Sequence, residues 1–292
     1  GSSALRVNTT GFVNVALGME ALKGNTTAAY NTATGYAALC ANTTGQANTA
    51  SGYQSLGDTT TGSFNVSVGS NALRSNTTAC NNTAIGYDAM RCNTTGCENV
   101  AVGIAALRDG TATIRNIAIG RNALCATTGS YNTVVGYIGL SSNTCGQSHA
   151  GLGYAVLYSN TTGCNSSALG NAALAKNTTG NQNTAVGYLA LCSNTTAGNN
   201  VAVGADSLRD TTTGSNNTAV GTYSLKCATT AVRNAALGYS SQLLTTANNN
   251  TSSGAYSLRY NTTGAENTAV GTYSLYSNTT ANYNTAVGGC SL

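Results

Sequence analysis

The chain has 292 residues, with 12 basic against 8 acidic side chains, a net charge of +4, and neither Pro nor Trp. Only 7% of residues are charged, which excludes the dense basic face with interleaved aromatics that nucleic-acid binding requires. No apolar run approaches the roughly 20 residues of a membrane span. Asn, Thr, Ala and Gly fill most positions, a composition that would signal disorder if it lacked period, but here aliphatic residues return on a fixed schedule.

Glycines mark that schedule, at Gly1, Gly18, Gly35, Gly52, Gly69, Gly86, Gly103, Gly120, Gly136, Gly153, Gly170, Gly187, Gly204, Gly221, Gly238, Gly254, Gly271 and Gly288. Fifteen of the seventeen intervals are 17 residues and two are 16. The unit is N-T-A-V-G-Y-x-A-L-x-x-N-T-T-G-x-x, as in Asn183 to Asn199. A repeat this strict means one short structural unit stacked many times.

Within a unit the elements follow in order. Before each glycine comes a period-2 segment such as Val100-Ala101-Val102 or Ile117-Ala118-Ile119, which predicts a short strand. Four residues after the glycine comes Leu (Leu22, Leu39, Leu56, Leu73, then Met90), preceded by Ala or Ser. This predicts a weaker strand or a corner with Leu inward. Asn-Thr-Thr-Gly then predicts a turn. Repeated Thr, Val, Asn and Gly lower helix propensity in every unit. The expected fold is therefore all-β, a parallel β-solenoid of about 17 coils with 17 residues per coil, in a single continuous domain over residues 1–292. Strand spacing gives a rod of about 80 Å.

Stacking would bring the Leu, Val and Ala columns together as a narrow core. The Asn column four before the glycine (Asn31, Asn48, Asn65, Asn82, Asn99, Asn116) would form a hydrogen-bonded ladder, and the glycines a tight bend or positive φ. Some coils depart from the pattern. His149 and Ser166 replace ladder Asn, Gly110-Thr111-Ala112 replaces Asn-Thr-Thr, and Gln242-Leu243-Leu244 disturbs the Leu position of a 16-residue coil. The chain starts at Gly1 rather than Met and closes four residues past Gly288. A processed chain or a window of a longer array is expected. Uncapped coils would imply caps elsewhere or head-to-tail stacking.

The segments Asn99-Val100-Ala101-Val102-Gly103 and Asn116-Ile117-Ala118-Ile119-Gly120 resemble the N-S-V-A-I-G head repeats of YadA-like trimeric autotransporter adhesins. The full unit is similar to repeats in phage and virus tail-fibre shafts, and the resemblance covers nearly the whole chain. It implies an extracellular or virion-surface fibre, often a homotrimer, used for attachment.

The chemistry-bearing residues are few. With one His, and with Asp58, Asp109 and Asp210 three or more coils apart in one column, no paired acid–base or nucleophile–His arrangement is expected. No phosphate-loop, cofactor or metal motif is present. Cys80 and Cys97 occupy one column of adjacent coils, where stacking puts their Cα atoms near the ~4.8 Å strand spacing, inside disulfide range. Cys145 and Cys164 are a weaker pair. The alternative is ten small residues standing in for Ser or Ala. Asn-Thr-Thr matches the N-glycosylation acceptor pattern at Asn8, Asn25, Asn42, Asn76, Asn93, Asn160, Asn177, Asn194, Asn261 and Asn278. The same residues also serve as plain turn chemistry. Arg6, Lys23, Arg74, Arg91, Arg108, Arg209, Lys226 and Arg259 share the column after Leu. That column is either a solvated corner or a binding stripe for an acidic polysaccharide. Tyr36, Tyr53, Tyr87, Tyr137, Tyr154 and Tyr188 follow their glycines and could pack together or stack on sugars.

The expected function is a non-enzymatic structural fibre or filament subunit with a surface-attachment role. It would self-associate as a homotrimer or head-to-tail filament and could contact a cell-surface glycan, with no nucleic acid, membrane span or cofactor. A ligand-binding solenoid, such as an ice-binding protein, is the alternative. The adjacent Thr-Thr pair of the turn speaks against that alternative, because the two side chains should face opposite ways.

Overall fold

The computed structural model describes residues 1–291 and is all-β, a parallel β-solenoid with no helix among the described residues. The coils fall into two compact units, Gly1–Gln147 and Ser148–Leu292.

The first unit holds β1 (Val15–Leu17), β2 (Thr32–Thr34), β3 (Thr49–Ser51), β4 (Val66–Val68), β5 (Thr83–Ile85), β6 (Val100–Val102), β7 (Ile117–Ile119) and β8 (Thr133–Val135). Each pairs in parallel with the next. The register is one coil, so Val100 faces Ile117, but it shortens by a residue where Ile117 faces Thr133. The second unit holds β9 (Ala150–Leu152), β10 (Ser167–Leu169), β11 (Thr184–Val186), β12 (Val201–Val203), β13 (Thr218–Val220), β14 (Ala235–Leu237), β15 (Thr251–Ser253), β16 (Thr268–Val270) and β17 (Thr285–Val287). These are again paired consecutively in parallel, with the short step at Ala235 and Thr251.

The strands are inverted relative to the expected core. From β2 onward the middle residue, usually Ala, is buried and its two larger neighbours lie outside. Val and Ile therefore do not join Leu and Ala inside, which corrects the three-column core. The apolar interior is made chiefly of the strand-centre Ala, the Ala before each Leu, and the Leu column. Leu39, Leu56, Leu73, Leu107, Leu174 and Leu191 are among its largest members. A narrow coil with Leu on one side mostly takes a small residue on the other, and where Val134 fills the strand centre the residue before Leu140 is Gly139.

The segment after each glycine is a corner, not a second strand. Two residues per corner are left-handed, as at Ala37 and Leu39, with φ of 52° and 51°. Such a backbone costs about 1–2 kcal/mol per non-glycine residue, offset by burial of each Leu, worth about 1.5–3 kcal/mol. The corner is bonded to both neighbouring coils, since Ala37 N–H donates to Met19 O at 2.9 Å and Leu39 N–H to Ser55 O at 3.0 Å. The repeat glycine meets the expectation of positive φ. At Gly103 φ is 134°, and a Cβ would sit 2.7 Å from the Gly120 carbonyl.

Candidate functional site

Each coil carries two buried Asn columns, of which the first is the expected ladder. Asn48 accepts, through Oδ1, the backbone N–H of Asn65 at 3.0 Å, while its Nδ2 donates to Gly62 O at 2.8 Å. The second ladder is the Asn-Thr-Thr column, expected at an exposed turn. Asn42 Nδ2 instead donates to Asn25 Oδ1 at 3.1 Å and to Gly45 O at 3.0 Å. Asn31 Nδ2 donates to that same Gly45 carbonyl at 2.9 Å, so the two ladders meet there.

This geometry bears directly on the glycan-acceptor asparagines. Asn25, Asn42, Asn76, Asn93, Asn160, Asn177, Asn194 and Asn261 are fully buried, and the Nδ2 atoms that would carry sugar are donating along the ladder. Asn8 is exposed and Asn278 half-buried. A row of glycans down this column is incompatible with the ladder as folded. The turn reading accounts for the asparagines, and it goes further than expected because they point inward.

The two short coils keep an acceptor for the second ladder. Each lacks one residue of the Asn-Thr-Thr turn, and a Thr takes the Asn place. Thr127 Oγ1 accepts Asn143 Nδ2 at 2.8 Å, and Thr245 Oγ1 accepts Asn261 Nδ2 at 3.4 Å. Gln242 occupies the Leu position of the second short coil, fully buried, with Nε2 donating to Ala235 O and Ser252 Oγ at 3.0 and 2.9 Å.

His149 is a ladder member. Its Nε2 lies 2.6 Å from Gly163 O, and its Nδ1 accepts Ser166 N–H at 3.3 Å, reproducing the two contacts of an Asn amide. The ring is 2% exposed, and burial pushes its pKa below the ordinary 6.5. Ser166 Oγ continues the ladder by accepting Asn183 N–H.

The expected disulfide between Cys80 and Cys97 is not formed, and all ten cysteines are free thiols. Cys97 Sγ accepts Cys80 N–H at 3.1 Å, and Cys80 Sγ accepts Ser63 N–H at 3.3 Å. The two sulfurs thus point along the stack in the same sense, each serving a backbone group, instead of facing one another. Cys145 lies in the first unit and Cys164 in the second. Burial raises the thiols of Cys40, Cys125, Cys192 and Cys227.

About half of the basic column is neutralised locally. Lys23 pairs with Glu20 at 2.7 Å, Arg108 with Asp109 at 2.8 Å, and Arg209 with Asp206 at 3.1 Å. The Arg108 guanidinium holds the Asp109 carboxyl below the usual range. Tyr36 and Tyr53 stack at 5.3 Å in the first unit. A larger aromatic row, missed in the sequence because only the tyrosines directly after a glycine were read as a column, links Tyr223, Tyr256 and Tyr273, each two after its glycine, with Tyr239 in the second unit.

The remaining feature is the outer face of the strands. In all seventeen strands the first and last residues are Thr, Ser, Val, Ile, Leu or Ala, without one charge. Parallel register places like positions above one another about 4.8 Å apart, with the two columns about 6.6 Å apart along the strand. The exposed members include Val66, Val68, Ile85, Ile117 and Ile119 in the first unit and Leu152, Leu169, Leu237 and Val270 in the second. No protein-family model and no curated protein matches the chain.

Proposed function

We propose that the chain is a non-enzymatic structural subunit of an extracellular or virion-surface fibre and that it self-associates, as a homotrimer, through the outer face of its strands. The supporting observation is the inversion itself: within the strands the small middle residue lies inside and the larger aliphatic ones outside. One-sided sheets ordinarily keep apolar residues in and polar residues out. Burying an exposed Val, Ile or Leu contributes about 1.5–3 kcal/mol, so a face that repeats such residues in most coils gains most by meeting its own copy. Absence of charge removes the desolvation cost and the repulsion that would oppose it. Attachment to a surface is the role implied by the adhesin and tail-fibre resemblance.

Sedimentation velocity tests this reading. The chain should sediment at three times its 29.2 kDa mass. Ile117→Lys and Val203→Lys should give monomers with unchanged circular dichroism. A wild-type monomer at high micromolar concentration refutes the proposal.

A second reading draws on the same columns. The two-column array that the turn does not offer is offered by the strands, as at Thr32 and Thr34, half-exposed in register with Thr49 and Ser51. Such rows of methyl and hydroxyl groups could order water in an ice-like lattice. A monomeric protein showing freezing hysteresis that Thr184→Lys abolishes would select this reading over the fibre.

A further inference from the structure

The second unit carries an aromatic and cationic strip that the fibre reading does not use. Ring centroids run Tyr223 to Tyr239 at 5.8 Å, Tyr239 to Tyr256 at 5.3 Å and Tyr256 to Tyr273 at 4.9 Å. The row then turns through Tyr276 to Tyr260, at 5.1 and 4.9 Å. Two cations lie over it. The Arg259 guanidinium is 4.9 Å from the Tyr256 ring and 5.6 Å from Tyr260, and Lys226 Nζ is 5.1 Å from Tyr223.

Arg259 differs from the paired arginines of its column. Among the described residues it has no carboxylate partner, in contrast to Arg108 and Arg209, and its buried Nε has no hydrogen-bond partner there. A guanidinium not committed to a carboxylate, beside tyrosine rings and hydroxyls, suits a planar anion on a polyhydroxylated body. From Thr218 to Ser291 the basic residues are Lys226, Arg233 and Arg259, and the one acid is Glu266. Neither Arg233 nor Glu266 shares a column with the strip, since both lie five residues before a glycine.

We infer that this strip binds a carboxylated polysaccharide running along the coils of the second unit, with Arg259 gripping a carboxylate and the tyrosines supporting the sugar rings. A single-stranded nucleic acid would need bases between open aromatic faces and a cation for most phosphates. Here Tyr256 and Tyr273 already stack on each other at an interplanar angle of 14°, and two cations serve six rings.

The test is calorimetric titration of the full chain with polygalacturonate oligomers, with the same oligomers methyl-esterified, and with poly(dT). Binding should be confined to the free carboxylate form. Arg259→Gln and Tyr239→Ala should each weaken it on the order of tenfold, equivalent to about 1.4 kcal/mol. Arg259→Lys should fall between wild type and Arg259→Gln, and Arg121→Gln in the first unit should change it less than about twofold. Circular dichroism checks that each variant is folded. The inference is overturned by no binding to polygalacturonate, by equal loss with Arg121→Gln, by a folded Tyr239→Ala of unchanged affinity, or by tighter binding of poly(dT) through the same residues.

Discussion

Truncating one rung of the first Asn ladder is the most direct test of what holds these coils together. Asn99 is fully buried. Its Nδ2 donates to Thr113 O at 2.7 Å and to Asn82 Oδ1 at 3.1 Å, and its Oδ1 accepts Asn116 N–H at 2.9 Å. Asn99→Ala strips Thr113 C=O and Asn116 N–H of these partners together. A buried polar group left unsatisfied costs about 1–3 kcal/mol, so the pair costs about 2–6 kcal/mol. That is a large share of the 5–15 kcal/mol typical of a domain. The next residue provides the contrast. Val100 points outward in β6, and in the dissociated chain, at concentrations below self-association, Val100→Thr should stay within about 0.5 kcal/mol, as surface substitutions do. Repeat arrays need not unfold as one unit, so native-state hydrogen exchange should accompany urea unfolding, with the Asn116 amide as reporter. Its protection should collapse in Asn99→Ala and persist in Val100→Thr. A loss below about 1 kcal/mol for Asn99→Ala, or equal losses for the two variants, would refute the ladder as the main polar tie between coils.

Gly103→Ala combines a backbone at φ 134° with a Cβ 2.7 Å from the Gly120 carbonyl. Strain and overpacking of about 1–3 kcal/mol each should lower the melting temperature far more than Ser70→Ala two coils earlier. For His149, burial lowers the folded pKa below 6.5. The unfolded chain then binds more protons between those two values, so stability rises with pH through that window and falls on acidification below about 6.5. His149→Asn should flatten that slope in urea titrations from pH 4 to 8. Ellman titration of unreduced, denatured protein should count ten thiols, and a reductant should leave the melting temperature unchanged. Expressed through a glycosylating secretory route, the folded chain should carry glycan only at Asn8 or Asn278 within the Asn-Thr-Thr column, as read by mass shift after deglycosylation. Occupancy at Asn93 or Asn177 would show that the second ladder does not form.

Period and residue class made the coil legible. Alternation placed every strand, the Leu column marked the interior, and the glycine column announced its φ. What escaped was the direction of the side chains. In Val100-Ala101-Val102 period 2 says that Val and Ala face opposite ways, and hydrophobicity alone then sends Val inward, where the structure puts Ala101. Size decides it: the Leu107 corner leaves space for one carbon. The Asn-Thr-Thr turn misled in a similar way. An exposed turn accepts Asp, Ser or Gly as readily as Asn, so the recurrence of Asn was the available sign of an amide doing two jobs. Asn76 does both, donating to Ala79 O and accepting Asn93 Nδ2. The cysteines escaped because column spacing fixes Cα separation but not the sense of the sulfur.

The inward asparagines and the outward aliphatics have one cause. A 17-residue coil with three non-glycine residues in the left-handed region, as at Tyr30, Ala37 and Leu39, turns too tightly to enclose a broad apolar core. The interior that remains is filled by one Leu, small residues such as Ala33 and Ala38, and buried amides, and the amides satisfy the backbone carbonyls that such tight turns direct inward. Hydrogen bonds then supply what hydrophobic burial supplies in larger folds, each contributing about 0.5–1.5 kcal/mol and repeated in every coil. The aliphatic residues that strand propensity demands have nowhere to go but the outer face. A coil built this way holds its neighbours by amides and leaves its main apolar surface for another chain.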